Sequence, residues 1–155
     1  QSFGLAFLII SLIMFGIFGS VKLGLVAILP NTFPMLTVFG LMGWLDFNLD
    51  ITTLMTAPII IGIAVDDTIH FITHYRLSLL KGASISEAIH ATLHEVGQAI
   101  IFTTLILMSI FLFFIPVSHV GVSRFSILAV IAVFSALLAD LFLLPALCRV
   151  LRVRV

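Results

Sequence analysis

Five stretches of nearly uninterrupted apolar residues, at 3–21, 25–45, 54–72, 99–116 and 125–147, dominate this sequence. A helix rises about 1.5 Å per residue, so about twenty such residues cross a hydrocarbon core about 30 Å thick. Each stretch is apolar on almost every face, which separates it from a surface helix with one apolar stripe. Inside lipid every backbone N–H and C=O must be bonded within the protein, and a helix does this unaided. The fold class is therefore all-α: a polytopic membrane helix bundle of five transmembrane helices.

Composition agrees. Of 155 residues, 62% are apolar and 9% charged, against about 25% charged in an ordinary soluble domain. Seven cations and seven acids are too few to coat a soluble enzyme or to keep a segment disordered. Their balance leaves no basic footprint for nucleic acid. Cys148 is the single cysteine, so neither an internal disulfide nor a cysteine metal cluster is expected. No metal and no cofactor is implied. The chain opens on Gln1 and is apolar within a few residues, with no basic leader of a cleaved signal. It is expected to be a piece of a longer protein.

Only one connection is long, at 73–98. Within it Ser84 or Ser86 is placed to cap a helix, with Glu87 in the first turn. Ile85, Ala88, Ile89, Leu93 and Val96 then recur at helical spacing, opposite His90, His94 and Glu95. This predicts a short cytoplasmic amphipathic helix over 84–97, lying in the interface and leading into the fourth span. Five spans put the chain ends on opposite sides. Lys22, Arg76, Lys81, Arg149, Arg152 and Arg154 fall on one side, and Arg124 with Asp46 and Asp50 on the other. The excess of cations marks the cytoplasm, so the C-terminus is expected inside and the N-terminal end outside. Trp44 then sits at an outer helix end, where interfacial aromatics belong.

Three acids stand inside the apolar stretches: Asp66, Asp67 and Asp140. A carboxylate at mid-bilayer costs at least about 2.5–3.5 kcal/mol, so such residues normally face water or the bundle interior and mark an ion path. Counting about 1.5 Å per residue from the outer end of its span, Asp66 lies roughly 18–20 Å deep. Asp66 with His70, and Asp67 with His74, share helix faces that open toward the cytoplasm. Adjacent carboxyl groups kept from bulk water suit reversible protonation, and His70 is a candidate partner in proton transfer. His74, beside Tyr75 and Arg76, reads better as an interfacial polar residue. Gly62, one turn above Asp66, would let a neighbouring helix approach closely, and Pro58 loosens the backbone ladder. Thr103 and Thr104 enter the fourth span near the same depth. Each would bond either the acids or its own helix's carbonyls. Asp140, about 10–11 Å from the cytoplasmic end of its span, reads as a structural acid paired with Arg149 or a neighbouring helix.

The run GIAVDDTIHFITHYR at 62–76, the SISEAIHATLHEVGQAI segment, the following IFTT and the closing DLFLLPALCRVL together resemble the RND superfamily. The likeness is to its MMPL-like, hydrophobe-exporting branch, related to Patched and the sterol-sensing domains, and covers nearly the whole chain. The resemblance implies two six-helix halves, each with a large extracytoplasmic domain after its first helix. This chain would be the last five helices of one half, with the C-terminal half favoured. It further implies export driven by the proton-motive force in a bacterial inner membrane, with Asp66 and Asp67 as proton relay and Thr103 or Thr104 at the polar position of the next helix. Implied partners are membrane lipids, a hydrophobic or amphiphilic substrate (a lipid, a sterol-like or hopanoid-like molecule, or a drug) and the remainder of the same protein. Assembly as a homo-oligomer is left open. Such a protein is a secondary active transporter, a proton antiporter, and no enzyme.

Three other readings compete. A SecD/SecF-like protein-export component shares the architecture, but Thr68, His70 and His74 stand where its pattern differs. A sterol-sensing lipid-binding domain would not need the paired acids. An intramembrane aspartyl protease would use Asp66 or Asp67 with Asp140, yet neighbouring acids on one helix point about 100° apart.

Overall fold

A computed structural model describes residues 2–47 and 51–152. The expected positions of Gln1, Asp50 and Arg154 lie outside the described residues. Those residues are helical throughout apart from short turns: α1 (Ser2–Phe18), α2 (Val21–Trp44), α3 (Ile51–Leu80), α4 (Ile85–Phe114), α5 (Val120–Leu138), a π-helical turn (Ala139–Leu143) and α6 (Leu144–Val150). Three segments are long and apolar enough to cross a membrane, Lys22–Trp44, Ile85–Phe114 and Val120–Val150, and Leu8–Phe18 is a shorter apolar stretch.

Both expected helical patterns around 84–97 and 99–116 belong to one helix. Ser84 caps α4, accepting from the Glu87 amide while the Glu87 carboxylate accepts from the Ser84 amide. This reciprocal box satisfies two of the free donors at a helix start. No residue between 97 and 99 breaks the ladder, so the amphipathic turns run straight into the apolar ones. Helix α3 likewise continues past 72 to Leu80. It stops at Gly82, whose φ of +91° suits glycine and brings the Ala83 amide to the Ser78 carbonyl, 3.2 Å away. Helix α2 closes in the same way through Asp46, with φ of 55°, and the Phe47 amide bonded to the Met42 carbonyl at 3.0 Å.

The interior divides into two apolar groups. The larger joins Met14, Phe18, Leu23, Val26 and Ala27 to Phe71, Ile72 and Tyr75 of α3, and to Ala88, Ile89, Leu144 and Cys148. The smaller joins Val38, Met42, Ile60, Leu128 and Ala132. Outward faces carry large apolar side chains such as Leu12, Leu36, Phe102 and Phe113, the pattern of a bundle solvated by hydrocarbon. Near the expected outer rim, Trp44 is exposed and the Arg124 guanidinium stacks over the Phe47 ring, 5.1 Å from its centre. At the opposite end Arg76 donates to the Phe18 carbonyl at 3.1 Å, placing a cation at the negative end of α1.

Close helix approach occurs at Gly24, where the Phe15 ring occupies the space a Cβ would need. At Gly62 an added Cβ meets nothing within 4 Å among the described residues. That residue lines an open groove between α3 and α4.

Candidate functional site

The groove between α3 and α4 collects most of the residues singled out by the sequence. A cavity of about 670 Å³ is lined by Ile59, Gly62, Ile63, Asp66, Asp67, Thr103, Ile106 and Leu107. A second, of about 270 Å³, runs on from it past Asp66, Asp67 and Thr103 to His70, His74, Glu95 and Ala99. Helical spacing explains the alignment. Residues 66, 70 and 74 fall on one face of α3, and 95, 99 and 103 on one face of α4.

Asp66 Oδ1 lies 3.8 Å from His70 Nε2, and the two side chains are 74% and 66% exposed. Farther along, His74 Nδ1 lies 3.4 Å from Glu95 Oε2 on the facing helix. Sequence reasoning had set His74 and Glu95 aside. The signal that joins them is that each sits one helical repeat from a groove residue. Asp67 is half-buried beside Asp66.

The two threonines separate. Thr103 lines the groove, and its hydroxyl donates to the Ala99 and Ile100 carbonyls of its own helix at 3.1 and 3.0 Å. Thr104 is buried and is absent from the groove lining. Of the expected partners, His70 and Thr103 therefore stand with the acids, and Thr104 does not.

Asp140 belongs to a different place. It is 1% exposed, and Thr68 Oγ1 donates to its Oδ1 at 2.8 Å. Asn31 Nδ2 in turn donates to Thr68 Oγ1 at 3.2 Å and to the Ala27 carbonyl at 2.7 Å. Of the two pairings expected for it, the neighbouring-helix one is found, and Arg149 is exposed elsewhere. Thr68 follows Asp66 by two positions, a rotation of about 200° around α3, so the groove and the Asp140 cluster occupy opposite sides of one helix. Asp66, on the groove side, and Asp140 therefore do not face each other across one site. Sequence reasoning passed over Asn31, a lone amide between Pro30 and Pro34 in an apolar span.

A sequence model of the AcrB/AcrD/AcrF family matches residues 1–153. The chain belongs to this family of RND transporters. Relatives fit that assignment. The hopanoid transporter HpnN of Burkholderia multivorans is 30% identical over 102 residues, covering 66% of this chain and 12% of the relative. The solvent-resistant pump membrane transporter SrpB of Pseudomonas putida is 25% identical over 150 residues, covering 92% of this chain and 14% of the pump. A putative membrane protein of Methanocaldococcus jannaschii is 34% identical over 77 residues, half of this chain and 20% of the relative. The chain thus spans between 12 and 20% of the relatives it matches. With these relatives and its long apolar helices, the RND chain is part of an integral membrane protein.

Proposed function

We propose that this chain is membrane machinery of an exporter that expels a hydrophobic or amphiphilic molecule in exchange for protons, with Asp66 and Asp67 as the proton-carrying groups. The supporting observation is the groove, which aligns Asp66, Asp67, His70 and Thr103 along two helices. A polar row of this kind is costly against lipid, so its open side is covered by protein or water, as ion paths in membranes are. Residues of the same protein outside this chain are the natural cover.

In this reading a proton entering from the outer side binds one of the two acids. Asp66 and His70, 3.8 Å apart, are within one water of exchanging it, and the pair His74 and Glu95 at 3.4 Å continues the row toward the cytoplasmic end of α3. Thr103, bonded to its own carbonyls, keeps lone pairs facing the groove and lines the path without carrying charge. Loading and unloading Asp66 and Asp67 changes the net charge between α3 and α4, and that change is the means by which a proton gradient would bias their packing. The hopanoid transporter and the solvent pump among the relatives support a lipid-like or solvent-like substrate, and a bacterial inner membrane with the 73–98 connection inside is the matching topology.

The test is proton-driven efflux of a hydrophobic dye by the full-length protein in proteoliposomes carrying an imposed pH gradient. Asp66→Asn and Asp67→Asn are each expected to abolish gradient-dependent efflux while expression and dye binding persist. Efflux that survives both substitutions would remove the relay assignment.

A further inference from the structure

On the far side of α3 from the groove, three polar residues from three helices meet in the apolar interior: Asn31 of α2, Thr68 of α3 and Asp140 of the π-helical turn, 2%, 0% and 1% exposed. We propose that this cluster is a second proton-binding site, distinct from the Asp66 and Asp67 groove, in which Asp140 holds the proton.

Counting hydrogens leads there. Asn31 has two N–H hydrogens, one committed to the Ala27 carbonyl and one to Thr68 Oγ1. Thr68 has one O–H hydrogen, committed to Asp140 Oδ1. Turning the Asn31 amide over would set its oxygen against the Ala27 carbonyl, acceptor against acceptor, so the orientation is fixed. Every donor is then used, yet two buried oxygens, Asp140 Oδ2 and Asn31 Oδ1, have no partner. Buried acceptors are almost always satisfied, and each exception calls for an explanation. A carboxylate in an apolar interior also needs a countercharge, and otherwise becomes neutral by taking a proton. One proton on Asp140 Oδ2 removes the charge that the apolar interior leaves uncompensated.

Nothing charged competes for it. From α3 the nearest acid is Asp67, a like charge that acts on Asp140. The one charged residue of α2, Lys22, is exposed at the helix start, and that of α5, Arg124, stacks on the Phe47 ring near the start of its helix. On α4 the residues Glu87, His90, His94 and Glu95 are exposed, and α6 brings buried Cys148 and exposed Arg149. Among the described residues no cation bonds to Asp140.

The backbone at this point departs from the regular α-helical ladder. Pro145 has no N–H to give the Leu141 carbonyl, and its ring crowds that position. The chain answers with a wide turn in which the Leu144 amide reaches the Ala139 carbonyl. Single π turns recur at functional sites. A proton arriving at or leaving Asp140 alters the bond to Thr68, whose neighbour in sequence is Asp67.

Infrared spectra of the full-length protein test this site without reference to transport. Wild-type protein at neutral pH is expected to show a carboxylic-acid C=O band that disappears in Asp140→Asn and persists in the Asp66→Asn, Asp67→Asn double variant. Thr68→Val, which keeps the acid and removes its hydroxyl partner, is expected to shift the band, and Thr68→Ser to leave it in place. A spectrum unchanged by Asp140→Asn, or by Thr68→Val in protein that folds, would overturn the proposal. So would a band replaced by carboxylate absorption on adding sodium chloride, which would make the cluster a metal-cation site.

Discussion

Replacing Thr68 by valine removes one oxygen and keeps the branched shape, so its effect isolates the hydrogen bonds. Two are lost, Thr68 to Asp140 at 2.8 Å and Asn31 to Thr68 at 3.2 Å. Polar contacts between membrane helices average about 0.6 kcal/mol and reach about 1.7, because the unfolded state in the membrane also finds partners. Leaving a buried partner unsatisfied costs more, about 1–3 kcal/mol. The second figure governs here, since Asp140 Oδ2 already has no partner and Oδ1 would join it. Asn31 limits the damage by keeping the Ala27 carbonyl. The expected loss is about 2 kcal/mol, roughly thirtyfold in the unfolding equilibrium. Reversible unfolding of the full-length protein in mixed micelles measures it, with Thr68→Ser as the control that keeps the hydroxyl. A loss confined to Thr68→Ser would mean that the methyl group matters and the hydroxyl does not. A Thr68→Val protein within about 0.5 kcal/mol of wild type, the usual range for substitutions away from such features, would refute the reasoning outright.

Other perturbations probe the remaining contacts. Gly24→Ala sets a methyl group into the Phe15 ring and is expected to lower stability by about 1–3 kcal/mol in the same titration. Arg76→Met removes the donor to the Phe18 carbonyl, a bond from a charged group, at a cost of about 1.5–3 kcal/mol less the discount for partial exposure; faster amide exchange at the end of α1 would register it. Ser84→Ala breaks the capping box of α4 and is expected to cost about 1 kcal/mol. The Ser84 hydrogen bonds hold the Glu87 carboxyl below its usual value. Its contribution is therefore present above the ordinary glutamate range and fades as pH falls through the lowered value, so protection factors at the start of α4, corrected for the intrinsic pH dependence of exchange, should fall on acidification and Glu87→Gln should flatten that fall.

How far the fold was legible depended on which physical term decided each feature. Hydrophobic length and periodicity found the helices, because burial in lipid acts on every residue alike. Boundaries were harder. The apolar stretch of α3 ends near residue 72, yet its hydrogen-bond ladder continues to Leu80, where Gly82 supplies a left-handed turn. Polarity ends a span without ending a helix. The Ser84 cap was readable because it is local, three residues wide. The site was half readable for a related reason. Spacing along α3 put Asp66 and His70 together, whereas the partnership of His74 with Glu95 depends on how α4 lies against α3. Asn31 and Thr68 were missed because a single amide or hydroxyl in an apolar span carries no periodic signal. Only three-dimensional packing shows that they meet Asp140.

The adjacency of Asp66 and Asp67 gains meaning from this packing. Consecutive residues on a helix point about 100° apart, so the two acids, though both line the groove, differ in burial. Asp66 is turned fully into the open groove, at 74% exposure, and Thr68 is wholly buried on the opposite side. Asp67 stands between them, half-buried. The three consecutive residues thus step from the groove to the bundle interior within less than one helical turn. A single acid at 66 would serve the groove alone, and one at 68 would be sealed among the helices. An acid at 67 borders both, so under the proposed relay the pair, and not either residue singly, would let a charge in the groove bear on the packing behind it.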